Sequence, residues 1–588
     1  MTLTPAKVLG FGCMRLSTAP DRDEDNAVAV IQAALDAGVT LLDTADVYCR
    51  DERDIGHNER LVARALDGWT GDRSRITVAT KGGMRRPNGA WVADGRAKHL
   101  RDACDASRRA LGVETIDLYQ LHVVDPRMPF ETSIRALARM QNEGKIRDVG
   151  LCNVTVTQIR AAQAIMDLSA VQVSLSPFDD ENLRNGVAEY CRDNGIRLIA
   201  YRPLGGERRR QLARDGFLTS IAARHGIPNE SIVLAWLTSF DGVVPIPGAT
   251  RVESAASLSG VFHVRLDEDN RCALDARYAG RLLRVPRAER RPRDVPNDAT
   301  SEVVIVMGMP GAGKSTVARG LAARGYERLN RDSLGGSLAG VASRLDDLLA
   351  AGHHKIVLDN TYPSRKSRNE VIETAWQRGV NVRCIWLATS VADAQINSIR
   401  RMLDVHGRLP TPDEIRELGK ADNRYLLPDA QFRYERTLEP PSPDEGFFAV
   451  EERVFVREPE PGSARAVILD ADDERLTRRV DVLQRYRDEG WLLFVHAWRP
   501  RGHASELAAS FAPLRDIFGD ALHIAACLHE AGPPVCWCRK PIPGSVLEFA
   551  RLRDVALDRS IVVANSAADR TIAERIGSLI IASESFFA

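Results

Sequence analysis

The chain has 588 residues, of which 44% are hydrophobic and 27% charged. It is too long for a single hydrophobic core and ordinary in balance for globular protein. Its 80 Lys and Arg offset 80 Asp and Glu, so no whole-molecule field gathers it onto nucleic acid or a membrane surface.

No basic-then-apolar leader opens the chain, and no apolar run nears the ~18 residues of a membrane span. A cytoplasmic protein without membrane partners is expected, its ten cysteines serving as thiols or metal ligands and not as a disulfide framework. Two breaks divide it. Segment 281–300 holds six arginines in thirteen residues, together with Pro286, Pro292 and Pro296, and reads as a linker whose arginines are either solvated or set against phosphate. A second break falls at 459–463. The predicted domains are 1–280, 301–460 and 464–588.

In 1–280, short apolar strands alternate with amphipathic helices. The strands are VTLLD (39–43), RITVATK (75–81), IDLYQLH (116–122), DVGLCN (148–153), AVQVS (170–174) and RLIAYRP (197–203). Strand–helix repetition over this length predicts a parallel α/β fold, for which the eight-fold barrel is the size match. Asp43, Lys81, His122 and Asn153 fall at strand ends, where barrels place their chemistry. Each alone is also what a turn or surface residue looks like.

GFGCMRLS, LLDTADVY with HNERLVARAL, ATKGG, DLYQLH, VGLCN, AVQVSLSPF, AYRPLGG and VPIPGATR follow one another as they do in the aldo-keto reductases, which this segment resembles throughout. GVFHVRL would be the last strand. The resemblance implies a tetrad of Asp43, Tyr48, Lys81 and His122. Tyr48 would give a proton to a substrate carbonyl, its pKa lowered from ~10 by Lys81; Lys81 would be paired with Asp43, and His122 would orient the carbonyl. Asn153, Gln172 and Tyr201 would contact a nicotinamide, and Arg251 the 2′-phosphate of NADPH. Cys152 stands where the family usually has Ser, and small residues Ser254, Ala255 and Ala256 replace later cofactor contacts.

At 303–307 a new apolar run leads into GMPGAGKS (308–315). Strand, glycine loop and Lys-Ser at a helix start form the phosphate-cradling P-loop. Gly308, Gly311 and Gly313 let backbone N–H groups wrap a phosphate, with Thr316 on the same helical turn. Lys314 would reach the β- and γ-phosphates of ATP, and Ser315 would hold Mg²⁺. A phosphotransferase also needs a carboxylate beside the acceptor hydroxyl and cations over the moving group. Asp332 can supply the first, unless it is a helix N-cap. Arg400 and Arg401 can supply the second, unless they are a solvated helix face. NRDSLG, LDNTYPSRKSR and QFRYERTLEPPSPDEGF resemble the kinase domain of polynucleotide kinase-phosphatases. That implies phosphorylation of a 5′-hydroxyl on DNA or RNA ends, with small alcohols as the alternative acceptors.

In 464–588, RAVILDADDE puts Asp470 and Asp472 two apart after an apolar strand. Such a pair can share Mg²⁺, one carboxylate attacking phosphorus and the other exchanging protons; an acidic turn has the same appearance. Cys527, His529, Cys536 and Cys538 make C-x-H-x₆-C-x-C, a spacing suited to tetrahedral structural zinc. This loop, with CRKPIPG after it, resembles the sugar-bisphosphate and histidinol-phosphate phosphatases of the haloacid dehalogenase superfamily, whose core is Rossmannoid. The resemblance implies Asp470 as nucleophile, Asp472 as acid-base, Lys540 as phosphate-binding lysine and Asp569 as metal ligand. The chain departs from the pattern in Asp473-Glu474 for Gly-Thr, His496 for Thr and Asn565 for Asp. The whole then reads as a carbonyl reductase, a kinase and a degenerate phosphatase-like domain. The alternative is an enzyme that tailors one metabolite by reduction and phosphorylation.

Overall fold

Runs such as Leu41-Leu42 and Val149-Gly150-Leu151, apolar on both faces, form strands only where a layer covers each side. The computed structural model describes residues 8–292, 301–335, 337–422, 424–458, 462–500, 502, 506, 509–530, 532 and 535–588. Two compact units result, Met1–Arg291 and Pro292–Ala588.

In the first unit eight strands follow in order: β1 (Gly10–Gly12), β2 (Leu41–Asp43), β3 (Thr77–Gly82), β4 (Ile116–Leu121), β5 (Ile146–Cys152), β6 (Ala170–Ser174), β7 (Arg197–Tyr201) and β8 (Val243–Ile246). Every neighbouring pair is parallel. The seam is bridged by Gly12 N–H, which donates to Pro247 O at 3.0 Å. Gly10 permits that approach, since a Cβ there would lie 2.6 Å from Ile246. Leu41, Ala79, Leu118, Ala170, Ile199 and Ile246 fill the interior, and the larger core lies between strands and helices. This is the predicted nearly closed (β/α)₈ barrel.

Two expectations are corrected here. GVFHVRL is not a strand: Ser259–His263 is helical, because Val243–Ile246 already supplies the eighth strand. The arginine-rich segment is also not solvated over its first half. Arg281–Arg284 and Arg287–Arg290 are short helices; Arg284 pairs with Asp275, and Arg287 and Arg290 with buried Glu189. Residues 293–300 lie outside the described ones.

The second unit holds two five-stranded parallel sheets. One runs β10-β11-β9-β12-β13, from β9 (Glu302–Met307), β10 (Glu327–Leu329), β11 (Lys355–Asp359), β12 (Asn381–Leu387) and β13 (Ala449–Arg453). The other runs β16-β15-β14-β17-β18, from β14 (Ala466–Asp470), β15 (Leu492–Trp498), β16 (Leu522–Cys527), β17 (Ile561–Ala564) and β18 (Leu579–Ala582). The expected break at 459–463, of which 459–461 lie outside the described residues, separates the sheets in sequence but not in packing. Ile396, Ile399 and Met402 of the first share one core with Ile468, Phe494 and Trp537 of the second.

Candidate active sites

Successive barrel strands deliver the tetrad. Asp43 ends β2, Lys81 sits near the end of β3, and His122 follows β4. Lys81 is completely buried. Its Nζ donates to Asp43 Oδ1 and Oδ2 at 2.7 and 2.8 Å, to Thr44 O at 2.9 Å, and to Tyr48 Oη at 3.0 Å. Burial is the largest single influence and opposes the ammonium charge, but Asp43, by charge and hydrogen bond, together with Tyr48 and Cys152 holds Lys81 above its usual range.

Burial also dominates at Tyr48 and pushes its hydroxyl well up, with Lys81 acting against the rise. The expectation that Lys81 brings the tyrosine below its ordinary value is thus corrected: the cation acts in the expected direction, but desolvation of a hydroxyl on a 7% exposed residue is larger. Burial, reinforced by Lys81, holds His122 well below the usual imidazole range, so its ring is neutral at pH 7. It meets the Tyr48 ring edge-on, centroids 5.7 Å apart.

Gln172 donates from Nε2 to Asp43 Oδ1 at 2.6 Å, which ties it to the tetrad, and its Oε1 faces the Cys152 thiol at 3.8 Å. Tyr201 Oη donates to Asn153 Oδ1 at 3.0 Å. Asn153 is exposed with φ 56°, a conformation in which Asn is among the better-tolerated side chains. Arg251 is exposed at the start of the Val252–Ala256 helix. Sequence reasoning missed Trp91, carried by the Val92–Ala93 hairpin arm. It lies 6.4 Å from the Tyr48 ring and 6.2 Å from His122, under the Arg86 guanidinium.

Beyond β9, the Lys314–Ala322 helix begins at Gly313, whose φ is 90°. Gly311 is also left-handed (φ 91°), and a Cβ there would lie 2.4 Å from Ala394 O, so the loop can press against its neighbour only as glycine. Gly311, Gly313, Lys314, Ser315 and Thr316 line a cleft of about 510 Å³ with Asp332, Asp359 and Arg401. Gly308 precedes it at the end of β9. Burial lowers the Lys314 ammonium to about 8, against the opposing pull of Asp359 and Asp332. The N-cap of the Arg331–Leu334 helix is Asn330, which accepts from Asp332 N–H at 2.7 Å. Asp332 is therefore not the cap, and its carboxylate faces the cleft. Arg400 does not line the cleft, a correction to the paired lid: neighbours on a helix point about 100° apart. Arg319, Arg331 and Arg424 do line it; of these only Arg331 stands in a motif, NRDSLG, which assigns it no role.

On the last sheet, Lys540 Nζ contacts Asp470 Oδ1 at 2.8 Å and Asp569 Oδ1 at 2.9 Å, bringing three predicted residues together. Asp472 is held by Arg499 at 2.6 Å. Asp569 also accepts from Ser566 N–H at 2.8 Å and Ser566 Oγ at 2.7 Å, as part of a helix capping box. His496 lies within β15, between Val495 and Ala497; burial and then Lys540 lower its imidazole to about 4, and its Nε2 lies 3.1 Å from Cys538 O. The ligand atoms of Cys527, His529, Cys536 and Cys538 all fall within 4.8 Å of one another. Cys527 Sγ and Cys538 Sγ stand 3.5 and 3.4 Å from His529 Nδ1. These spacings fit a tetrahedral zinc, whose sulfurs at ~2.3 Å from the ion would sit about 3.7 Å apart. All ten cysteines are free of disulfides.

Fold and site define a barrel oxidoreductase joined to a P-loop phosphotransferase-like unit. Residues 8–278 match the aldo/keto reductase family, and residues 303–411 match an AAA domain family. The N-terminal half of the chain is an aldo-keto reductase domain, and a P-loop kinase-like domain follows it. Similar solved structures include a thermostable aldo-keto reductase in complex with the inhibitor epalrestat, at 27% identity over 46% of this chain and 94% of that one, TM-score 0.40. The glycerol dehydrogenase of Gluconobacter oxydans is 25% identical over 49% and 94%, TM-score 0.41. An aldo-keto reductase of Klebsiella pneumoniae in complex with NADP and acetate is 23% identical over 46% and 91%, TM-score 0.40. Among the described residues no helix is long and apolar enough to cross a membrane.

Proposed function

We propose that the chain combines NADPH-dependent carbonyl reduction with ATP-dependent phosphorylation of a hydroxyl, most simply the 5′-hydroxyl of a DNA or RNA end, in the cytoplasm. The reading is carried by the Lys81 hub, which touches both Asp43 and Tyr48, and by Asp332 and Arg401 on one cleft with the P-loop. NADPH would supply hydride between Asn153, Gln172 and Tyr201, with Arg251 for its 2′-phosphate. Tyr48 holds the proton that the carbonyl oxygen receives; Lys81 keeps that oxygen's partner charge-stabilised, and neutral His122 orients the carbonyl.

In the second unit, Asp332 accepts the acceptor's proton. Lys314 and Arg401 neutralise transferring phosphate, and Ser315 would hold Mg²⁺, which supplies charge stabilisation when bound. Arg319, Arg331 and Arg424 on the same cleft favour a phosphate-bearing acceptor, because cations read a nucleic-acid backbone. Labelled ATP offered with a 5′-hydroxyl oligonucleotide, and separately with small alcohols, tests the acceptor. Asp332→Ala should cut transfer at least ~100-fold, the range of a lost general base, with ATP binding retained. Transfer at the wild-type rate would remove Asp332 from its role, and transfer to alcohols alone would favour the metabolite-tailoring reading.

The third sheet is proposed as a zinc-bound scaffold with little phosphatase activity. His496 offers no hydroxyl, Asn565 no charge for a metal, and Asp472 is taken by Arg499. Losing one oriented donor costs about 10²–10³ in rate. Hydrolysis of 3′-phosphate or sugar-phosphate, run beside Asp470→Asn, should show no difference between the two proteins; a robust rate that vanishes in the mutant would overturn this.

A further inference from the structure

Trp537 lies between two members of the cysteine cluster, yet its side chain serves the P-loop side of the unit. It is 3% exposed, and its Nε1–H donates to Leu426 O at 3.1 Å. Leu426 and Arg424 both line the phosphoryl-transfer cleft. Behind them a residual cavity of about 10 Å³ is bounded by Pro310, Arg401, Gln431 and the indole. From there the contacts run straight to the glycine loop: Gln431 Nε2 donates to Pro310 O at 2.9 Å, and Asn397 Nδ2 to Gly311 O at 3.0 Å. Arg401 also donates to Arg424 O.

The tryptophan is fixed from its other side as well. A Cβ on Gly544 would lie 2.2 Å from Trp537 O, so the helix start is pressed against the loop. Glu548 Oε1 accepts from Leu409 N–H at 2.9 Å, and Arg575 donates to Gln395 Oε1 at 2.8 Å. The segment 424–427 lies between helices Pro412–Ala421 and Asp429–Thr437 and has no sheet ladder to hold it. An external donor to its carbonyl matters more there than it would within a strand.

We propose that the Cys/His loop, through Trp537, supports from behind the 424–427 segment that walls the phosphoryl-transfer cleft. The metal-bound loop fixes Trp537, and Trp537, as a positioning residue, holds Leu426 and Arg424 at the P-loop. A phosphatase-like sheet thereby becomes a support for the kinase-like one. This rests on the kinase reading of the cleft and the zinc reading of the loop.

The test uses the full chain in three forms: Trp537→Phe, which keeps a ring but removes the N–H, Trp537→Ala, and wild type stripped of metal by a chelator. Amide exchange across 424–431 is followed by mass spectrometry, ATP·Mg affinity by calorimetry, and zinc content by metal analysis. Exchange across 424–431 should quicken in all three while barrel peptides are unchanged. The Kd for ATP·Mg should rise about 5-fold in Trp537→Phe, the worth of one hydrogen bond, with zinc still at the wild-type level and KM for ATP moving more than kcat. Unchanged exchange and unchanged Kd in both Trp537 variants would overturn the proposal. Wild type that binds no ATP·Mg refutes the kinase reading instead, and the exchange result alone then decides the coupling.

Discussion

Replacing Asp43 with Asn tests the hub of the reductase site. Lys81 has no exposed surface, and its ammonium hydrogens go to Asp43, Thr44 O and Tyr48 Oη. Asn keeps the shape and an acceptor for Gln172 but removes the charge. Breaking a buried pair by taking away one partner costs about 3–5 kcal/mol. At ~2–4 °C per kcal/mol for a large domain, the barrel's melting should fall by roughly 6–20 °C. Lys81 can avoid the cost by losing its proton, since burial, the largest single influence on it, favours the neutral amine once the Asp43 charge is gone. Tyr48 then loses the Lys81 charge, which together with the Lys81 hydrogen bond pulls its pKa down against burial. Reduction should fall at least ~100-fold, as expected when a proton donor is mistuned, with a much smaller change in the carbonyl's KM. The assay is NADPH consumption with a reactive aromatic aldehyde, paired with calorimetry that resolves the two units. A variant within about threefold of the wild-type rate and melting within about 2 °C of it, both small on the scale of single substitutions, would refute the role given to the ion pair.

ATP affinity should depend on pH through Lys314, whose ammonium is lowered from 10.5 to about 8 in the protein. A bound polyphosphate opposes that lowering, so above pH ~8 binding takes up a proton and affinity falls toward ~10-fold per pH unit. Calorimetry in buffers of different ionisation enthalpy measures both effects; flat affinity and no proton exchange between about pH 7 and 9.5 would contradict the sign worked from burial. Metal analysis should find one zinc per chain at the four-residue cluster. Cys536→Ser should lose it and unfold at lower temperature in the second unit only; full zinc retention in that variant would remove Cys536 from the ligand set.

Much of this protein is legible in local sequence. The P-loop announces itself because a strand, glycines at fixed offsets and a Lys-Ser helix start are all encoded within thirteen residues, 303–315. Asp43, Lys81 and His122 are legible because polar residues end apolar runs, and Tyr48 only through the resemblance of LLDTADVY to the aldo-keto reductases. The cysteine cluster needs only its spacing, with all four residues between 527 and 538. What only the tertiary structure decided comes from partners distant in the chain and from burial. Gln172 reaches Asp43 across 129 positions, and Trp537 reaches Leu426 across 111. Arg368, fully buried, pairs with Glu445 at 2.7 Å; the two residues stand in separate motifs, and nothing in either motif announces that they meet. Arg401 is separated from Arg400 by the turn of one helix, and GVFHVRL, though apolar enough for a strand, is helical as far as His263 and irregular after it, because Val243–Ile246 already supplies the eighth strand. The pKa of Tyr48 follows the same division: its residue type and its lysine are written in the chain, but the rise comes from desolvation, which exists only once the chain has packed around it.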